Sequence, residues 1–279
     1  MIFFGCFVVL KDCTQTYCYF LMNDKQINAI VAFANLKDCK NDNSMLSCFN
    51  ALFITGFSER KIPGFLGVCY QCNFYEENYS DSNVIYFLGE NLHESLVSAV
   101  LKRKAEFVAG RYLARRALVA LRACSTSVGI GKNRAPIWPD SFLGSISHSK
   151  SFAICAVTHK KETNRIGIDI EDILDVEVAK DIVGSVLTSS EHQFVGSATN
   201  PNPVVLTLIF SAKESLFKAL YPEVGCYFDF HAARIKEINF VNCQITLELI
   251  QELGPTLRVG THFSGVFELD STKVFTIIT

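Results

Sequence analysis

The sequence has no run of apolar residues near the ~20 that a membrane-spanning helix needs, so no span is expected. It has almost no net charge, −2 over 279 residues. No global field therefore draws it to nucleic acid or to a membrane surface, and anion binding has to come from local patches. Export signals are missing too: residues 1–10 are apolar, but no basic stretch precedes them and Lys11 and Asp12 close them without a small-residue cleavage site. That start is read as a buried first strand. No second ligand pair completes a zinc site with Cys69 and Cys72, which are read as packing residues of a strand. No G-x-S-x-G elbow is present, so the adjacent Ser147 and His148 make a poor nucleophile pair.

What is there is core. Hydrophobic residues make up 49% and charged residues 19%, enough for one large domain or two modest ones. Eleven cysteines, an odd number, in a chain of this size without an export signal predict reduced thiols and a cytoplasmic protein.

Residues 1 to about 90 read as short strands and loops, with a polar loop at 38–47, a turn at 61–64, a strand over 64–75 and a loop over 76–83. Residues 92–122 turn helical, with Phe107, Gly110, Ala114, Leu118 and Leu121 on one stripe. Lys104, Arg111, Arg115 and Arg122 form a second stripe, Lys102, Arg103 and Arg116 add charge, and Glu106 is the only acid between residues 102 and 122. Such a flank suits phosphate groups, though a solvated basic face has the same pattern. Gly144-Ser-Ile-Ser-His-Ser149 reads as an anion cradle or simply a turn.

Residues 159–165 are polar and mark a boundary between two halves, 1–162 and 163–279. In Gly167-Ile-Asp-Ile-Glu171 apolar residues alternate with others at the period of a strand, and Asp169 and Glu171 point the same way. Paired carboxylates suit a hard cation such as Mg²⁺, or merely end a solvated strand. Residues 187–191 resemble a helix start. Phe210-Ser-Ala-Lys-Glu-Ser-Leu-Phe-Lys218 is expected to open a helix, with Ser211 and Glu214 as a capping box and Glu214–Lys218 as an i,i+4 ion pair. Residues 227–279 read as a strand-rich meander with turns at 253–255 and 270–271. A charged amphipathic helix beside strands in each half hints at duplication.

Four blocks together resemble the 4′-phosphopantetheinyl transferases of the surfactin/enterobactin type: Lys104-Ala-Glu-Phe-Val-Ala-Gly-Arg111; Arg134-Ala-Pro-Ile-Trp-Pro139 with Gly144-Ser-Ile-Ser-His148; Gly167–Glu171; and Phe210–Lys218. The last two match the family's G-x-D-x-E and (F/W)-S-x-K-E-S-x-x-K signatures, and the first two look closest to its enterobactin branch. Ser141 departs from that branch, which often has Gly there. The resemblance implies an α+β fold of two similar lobes related by pseudo-twofold symmetry. The N-terminal lobe (1–162) would make coenzyme A phosphate contacts and the C-terminal lobe (163–279) would carry the metal and catalytic motifs. It implies transfer of the phosphopantetheine arm of coenzyme A to a serine of a carrier protein domain of a biosynthetic megasynthase, with release of adenosine 3′,5′-bisphosphate.

It further implies Mg²⁺ on Asp169, Glu171 and Glu214. Arg111 would meet the 3′-phosphate; Ser147, His148, Lys213 and Lys218 would make further phosphate contacts, with Lys104 and Arg115 behind them. Glu214, Glu191 or a metal-bound water would be the base, and Lys218 would neutralise the leaving group. A monomer is expected, without nucleic acid or membrane partners. The competing expectations are a non-catalytic coenzyme A- or nucleotide-binding module on the same fold and a Mg²⁺-dependent phosphohydrolase. The carrier's pathway (siderophore or other nonribosomal peptide, polyketide, polyunsaturated fatty acid) is left open.

Overall fold

The computed structural model describes residues 53–279 in full and residues 7–12 and 15–20 as backbone. Strands β1 (Phe7–Asp12) and β2 (Gln15–Phe20) pair antiparallel with Phe7 opposite Phe20, in a unit of their own that ends at Leu52. The predicted first strand thus overlaps β1 at residues 7–10; its earlier residues and the loop at 38–47 lie outside the described residues.

Residues 53–279 make the second unit, which holds two larger antiparallel sheets, of four and five strands, besides two small two-stranded pairs. The first contains β3 (Ile54–Glu59), β4 (Gly67–Phe74), β5 (Phe142–Ser149) and β6 (Phe152–His159), in the order β3-β4-β6-β5. Between β4 and β5 the chain forms α1 (Asp81–Leu88) and α2 (Leu101–Ala120). The second sheet starts with β7 (Gly167–Asp172). After α3 (Val176–Val186) and α4 (Pro203–Val224) it adds β8 (Ala233–Asn239), β9 (Gln244–Leu249), β10 (His262–Leu269) and β11 (Lys273–Ile278), in the order β8-β9-β10-β11-β7. Mixed α and β, with one sheet in each lobe, is the expected fold class.

Each sheet carries a long helix. Ala105, Val108, Ala109, Leu113, Ala117 and Leu118 of α2 are fully buried, in one cluster with Ala153, Cys155 and Val157 of β6 and with Phe53 and Phe74. A fully buried Leu, Val or Phe stabilises such a core by about 1.5–3 kcal/mol. On the other sheet α4 comes closer still: a Cβ on Gly167 would stand 1.9 Å from the Ser215 carbonyl oxygen and 2.6 Å from the Ala219 nitrogen. Only glycine lets the helix backbone rest on the strand there.

A third cluster, with Cys69, Ile154, Ile168, Ile170, Phe275 and Ile277, joins strands of both sheets. Cys72 belongs instead to the cluster under α2. Positions three apart on a strand face opposite ways, so these two thiols cannot share a metal. Burial pushes each up to about 12, and they pack as the sequence predicts.

Several local expectations change. Residues 81–88, expected in strand-and-loop chain, are helix, entered through a Ser80 capping box. The helix predicted over 92–122 is confined to 101–120. Residues 144–149 are strand, not turn. The helix expected to open at residue 210 begins at Pro203, capped by Asn202. Ser211 is therefore mid-helix and caps nothing: its hydroxyl and that of Ser215 bond Thr276 Oγ1 of β11 at 2.9 and 2.7 Å. Glu214 likewise sits in the middle of the helix rather than at its open end.

Candidate active site

The two sheets meet where β5 runs alongside β7 in the same direction. No backbone ladder joins them. Ser145 Oγ accepts from Ile168 N at 3.0 Å, Ser147 Oγ accepts from Ile170 N at 3.3 Å, and Ser149 Oγ donates to Asp172 Oδ2 at 2.8 Å. The alternation of serine with other residues at 145, 147 and 149 aims all three hydroxyls at the neighbouring strand.

Asp169 sits on this seam, 2% exposed. Its Oδ1 accepts from Ser147 Oγ at 2.8 Å and from Lys218 Nζ of α4 at 2.6 Å. Its Oδ2 is buried and has no hydrogen-bond partner. A carboxylate oxygen left so is costly to the fold alone and is the type of group a hard cation takes up. Glu171 and Glu214 share its surroundings. Burial, then Asp169, then Glu214 raise the Glu171 carboxyl to about 8 against the pull of Lys218. Burial and Asp169 also push Glu214 upward. Among the described residues no three or more His, Cys, Asp or Glu side chains stand in a metal-holding arrangement. Three acids that penalise one another's charge beside an unpartnered oxygen nonetheless fit a divalent cation in their donor chemistry. Lys218 is paired with Asp169, not with Glu214 as the i,i+4 spacing predicts.

Lys218 also lines a cleft of about 900 Å³. From α2 the cleft takes Arg103, Glu106, Phe107 and Arg111; from β5, Ser145 and His148; from the segment between α2 and β5, Arg134 and Trp138; from the end of α4, Phe217 and Tyr221. Its wall thus combines charged and aromatic side chains. Arg111 is buried, donates to the Gly129 carbonyl at 2.9 Å and lies over the Phe107 ring. Burial lowers its pKa to about 10. The Nε atoms of Arg103 and Arg111 are buried without partners, so each guanidinium keeps a donor unspent. Burial also pushes His148 downward, while Glu106 raises it.

The remaining predicted residues lie apart from this wall. Lys104 does not line the cleft. Arg115 donates to the Leu88 carbonyl and borders, with Arg111 and Glu90, a separate hollow of about 200 Å³. Lys213 and Glu191 form a fully buried ion pair at 2.7 Å. Glu191 Oε2 also accepts from the Thr188 amide and hydroxyl, and Oε1 from Ile235 N at 2.6 Å. Lys213 spends a further bond on the Val186 carbonyl. The predicted helix start at 187–191 is this capping box, built on Thr188.

Arg103, Arg134, Trp138 and Tyr221 were not singled out as site residues by sequence. Arg103 carried a signal: with Phe107, Gly110 and Arg111 it falls at i, i+4, i+7 and i+8, one helix face, whereas Lys104 is a step round.

Residues 92–158 match the family model of the 4′-phosphopantetheinyl transferase N-terminal domain, and residues 165–263 that of the 4′-phosphopantetheinyl transferase superfamily. Enterobactin synthase component D of Salmonella typhimurium is 36% identical over 184 residues, which span 65% of this chain and 74% of that protein. The 4′-phosphopantetheinyl transferase Npt of Nocardia iowensis is 31% identical over 140 residues, 50% of this chain and 62% of its own. The 4′-phosphopantetheinyl transferase Svp of Streptomyces mobaraensis is 35% identical over 139 residues, 49% and 56%.

Proposed function

This chain belongs to the 4′-phosphopantetheinyl transferases, and from that premise we propose how its cleft carries the reaction. The protein is an enzyme that transfers the 4′-phosphopantetheinyl group to carrier proteins, with coenzyme A as the substrate that supplies the group. The hydroxyl oxygen of a carrier serine bonds to the phosphorus that bears the pantetheine arm. The bond from that phosphorus to the bridging oxygen breaks, adenosine 3′,5′-bisphosphate departs, and the serine proton passes to a base.

Asp169, Glu171 and Glu214 would hold Mg²⁺, which when bound neutralises charge on the diphosphate and on the departing bisphosphate. The buried, unpartnered Asp169 Oδ2 beside Lys218 at the cleft is the observation that carries this reading. Arg111, Arg103 and His148 bind the phosphates of coenzyme A, and the aromatic side chains of the cleft, Trp138 among them, take its less polar parts. Lys218 leaves Asp169 to meet the leaving group. Glu214 is the base, through the carboxylate oxygen that would not face the cation. Glu191, Lys213 and Ser147 work as scaffold, because hydrogen bonds inside the protein already engage them; Lys104 and Arg115 are secondary.

The carrier belongs to a siderophore or other nonribosomal peptide assembly line, a reading supported by the name of the Salmonella relative. Division into working halves at residues 162–163 and a monomeric state complete the proposal. Among the described residues no helix is long and apolar enough to cross a membrane.

Mass spectrometry of an apo carrier domain incubated with the protein and coenzyme A should show the added arm. EDTA should abolish the addition and Mg²⁺ restore it, and Asp169→Ala and Glu214→Ala should both lose it while staying folded. Normal modification by both variants would overturn the site assignment.

A further inference from the structure

Glu106 is out of character on the basic wall. It is 8% exposed on α2 and divides its two oxygens between neighbours. Oε1 stands 3.6 Å from His148 Nδ1 and 4.0 Å from Lys102 Nζ, and Oε2 stands 3.7 Å from Arg103 Nη1. Arg103 Nη1 in turn lies 3.4 Å from His148 Nε2. The carboxylate, imidazole and guanidinium close a ring, and all three side chains line the cleft.

We propose that Glu106 is a positioning residue: its carboxylate is the counter-charge facing His148 Nδ1 and Arg103, so that His148 Nε2 and the Arg103 guanidinium meet one anionic group of the substrate together. This rests on the reading that the cleft binds coenzyme A.

The chemistry runs through the imidazole. With its proton on Nδ1, facing a carboxylate, neutral His148 turns a lone pair on Nε2 toward Arg103. That lone pair repels a phosphate. It becomes a donor only when a second proton arrives, and the resulting cation needs a counter-charge at Nδ1. The charged groups acting on His148 are Glu106 and Arg103 from α2, Lys218 from α4 and Asp169 from β7. Burial and the two cations oppose its protonation; Glu106 and, less strongly, Asp169 favour it. Asp169 is already bound by Lys218 and Ser147, which leaves Glu106 as the acid in position to support the imidazolium.

The test is the affinity for adenosine 3′,5′-bisphosphate, measured by calorimetry across pH 5.5–8.5 in wild type, Glu106→Gln and Glu106→Asp. Wild-type affinity should fall as pH rises through the His148 titration. Glu106→Gln should bring that fall to lower pH by about one unit, weakening binding roughly tenfold in between. Glu106→Asp, which keeps the charge, should recover most of the shift. In turnover Glu106→Gln should raise KM for coenzyme A and leave kcat within about twofold, the pattern of lost uniform binding.

Parallel pH profiles for wild type and Glu106→Gln would overturn the proposal. So would nitrogen NMR of the free wild-type protein placing the neutral His148 proton on Nε2, a measurement that needs no variant to fold. Trp138, the sole tryptophan and part of the cleft wall, separates the two levels. Unchanged emission with saturating coenzyme A sinks the cleft reading itself. A clear change with parallel pH profiles sinks the role of Glu106 alone.

Discussion

The two long helices both line the cleft, and the charges gathered at the two are mostly of opposite sign. α2 presents Arg103, Arg111 and, through β5, His148, with one acid, Glu106, among them. α4 lines the cleft with Phe217, Lys218 and Tyr221, and behind Lys218 it carries Glu214, near Asp169 and Glu171 of β7. Each group thus contains a single opposite charge that tempers the repulsion of the others. The difference lies underneath. α2 rests on apolar and aromatic side chains, and a Cβ on Gly110 would meet only the Ile146 side chain, at 2.7 Å. α4 rests partly on polar ones: the Ser211–Ser215–Thr276 cluster and the Lys213–Glu191 pair are all buried. Hydrogen bonds are directional where apolar contacts are not, so α4 is held on its sheet in one register.

That contrast is most exposed at Lys213. Replacing it with Met leaves Glu191 buried without its cation, which should cost about 3–5 kcal/mol of stability in urea unfolding, while kcat of the folded fraction changes little. A large kcat loss at full stability would instead restore Lys213 and Glu191 to the chemistry. Next come the two charged groups. Asp169→Asn should lower kcat about 10²–10³-fold, whereas Arg111→Met should act on KM for coenzyme A, by about 10–100-fold. Steady-state kinetics that interchange these effects would break the division of labour.

The packing contrast is smaller. Gly167→Ala drives a methyl into helix backbone and should cost about 3 kcal/mol or more. Gly110→Ala meets a side chain that can turn and should cost about 1 kcal/mol, both read from denaturant midpoints. Smallest is Asp270 in the β10–β11 turn, whose carboxyl is held below its usual value by the Thr272 amide and then by Lys273 N. Its contribution is present above about pH 4, near the unfolded-chain value, and is lost as pH falls through the lower folded value. Asp270→Asn should therefore lower Tm slightly at pH 7, and its Tm should converge on the wild-type value as pH falls below 4.

The sequence showed the β7 strand, the C-terminal meander, the core stripe of α2 and the motifs at the cleft, because each is written in local periodicity or fixed spacing. It hid what depends on partners far along the chain. Residues 204–209 are mostly apolar because α4 is largely buried there, and so short an apolar run does not tell helix from strand. Ser145, Ser147 and Ser149 look like turn residues until β7 is set beside them. The helix start at 187–191 was legible, but nothing local said that Lys213, 22 residues on from Glu191, would seal it from water. Arg103 and Lys104 are neighbours of like charge, and only the helix phase distinguishes them.

The serine seam between β5 and β7 has a mechanical consequence. A ladder of backbone amides shears as a block, since each bond fixes the spacing of the next. Separate hydroxyl contacts can be released singly, each at a cost of about 0.5–1.5 kcal/mol. The junction is therefore compliant by degrees, and its stiffness can be tuned by exchanging one serine without unravelling either sheet.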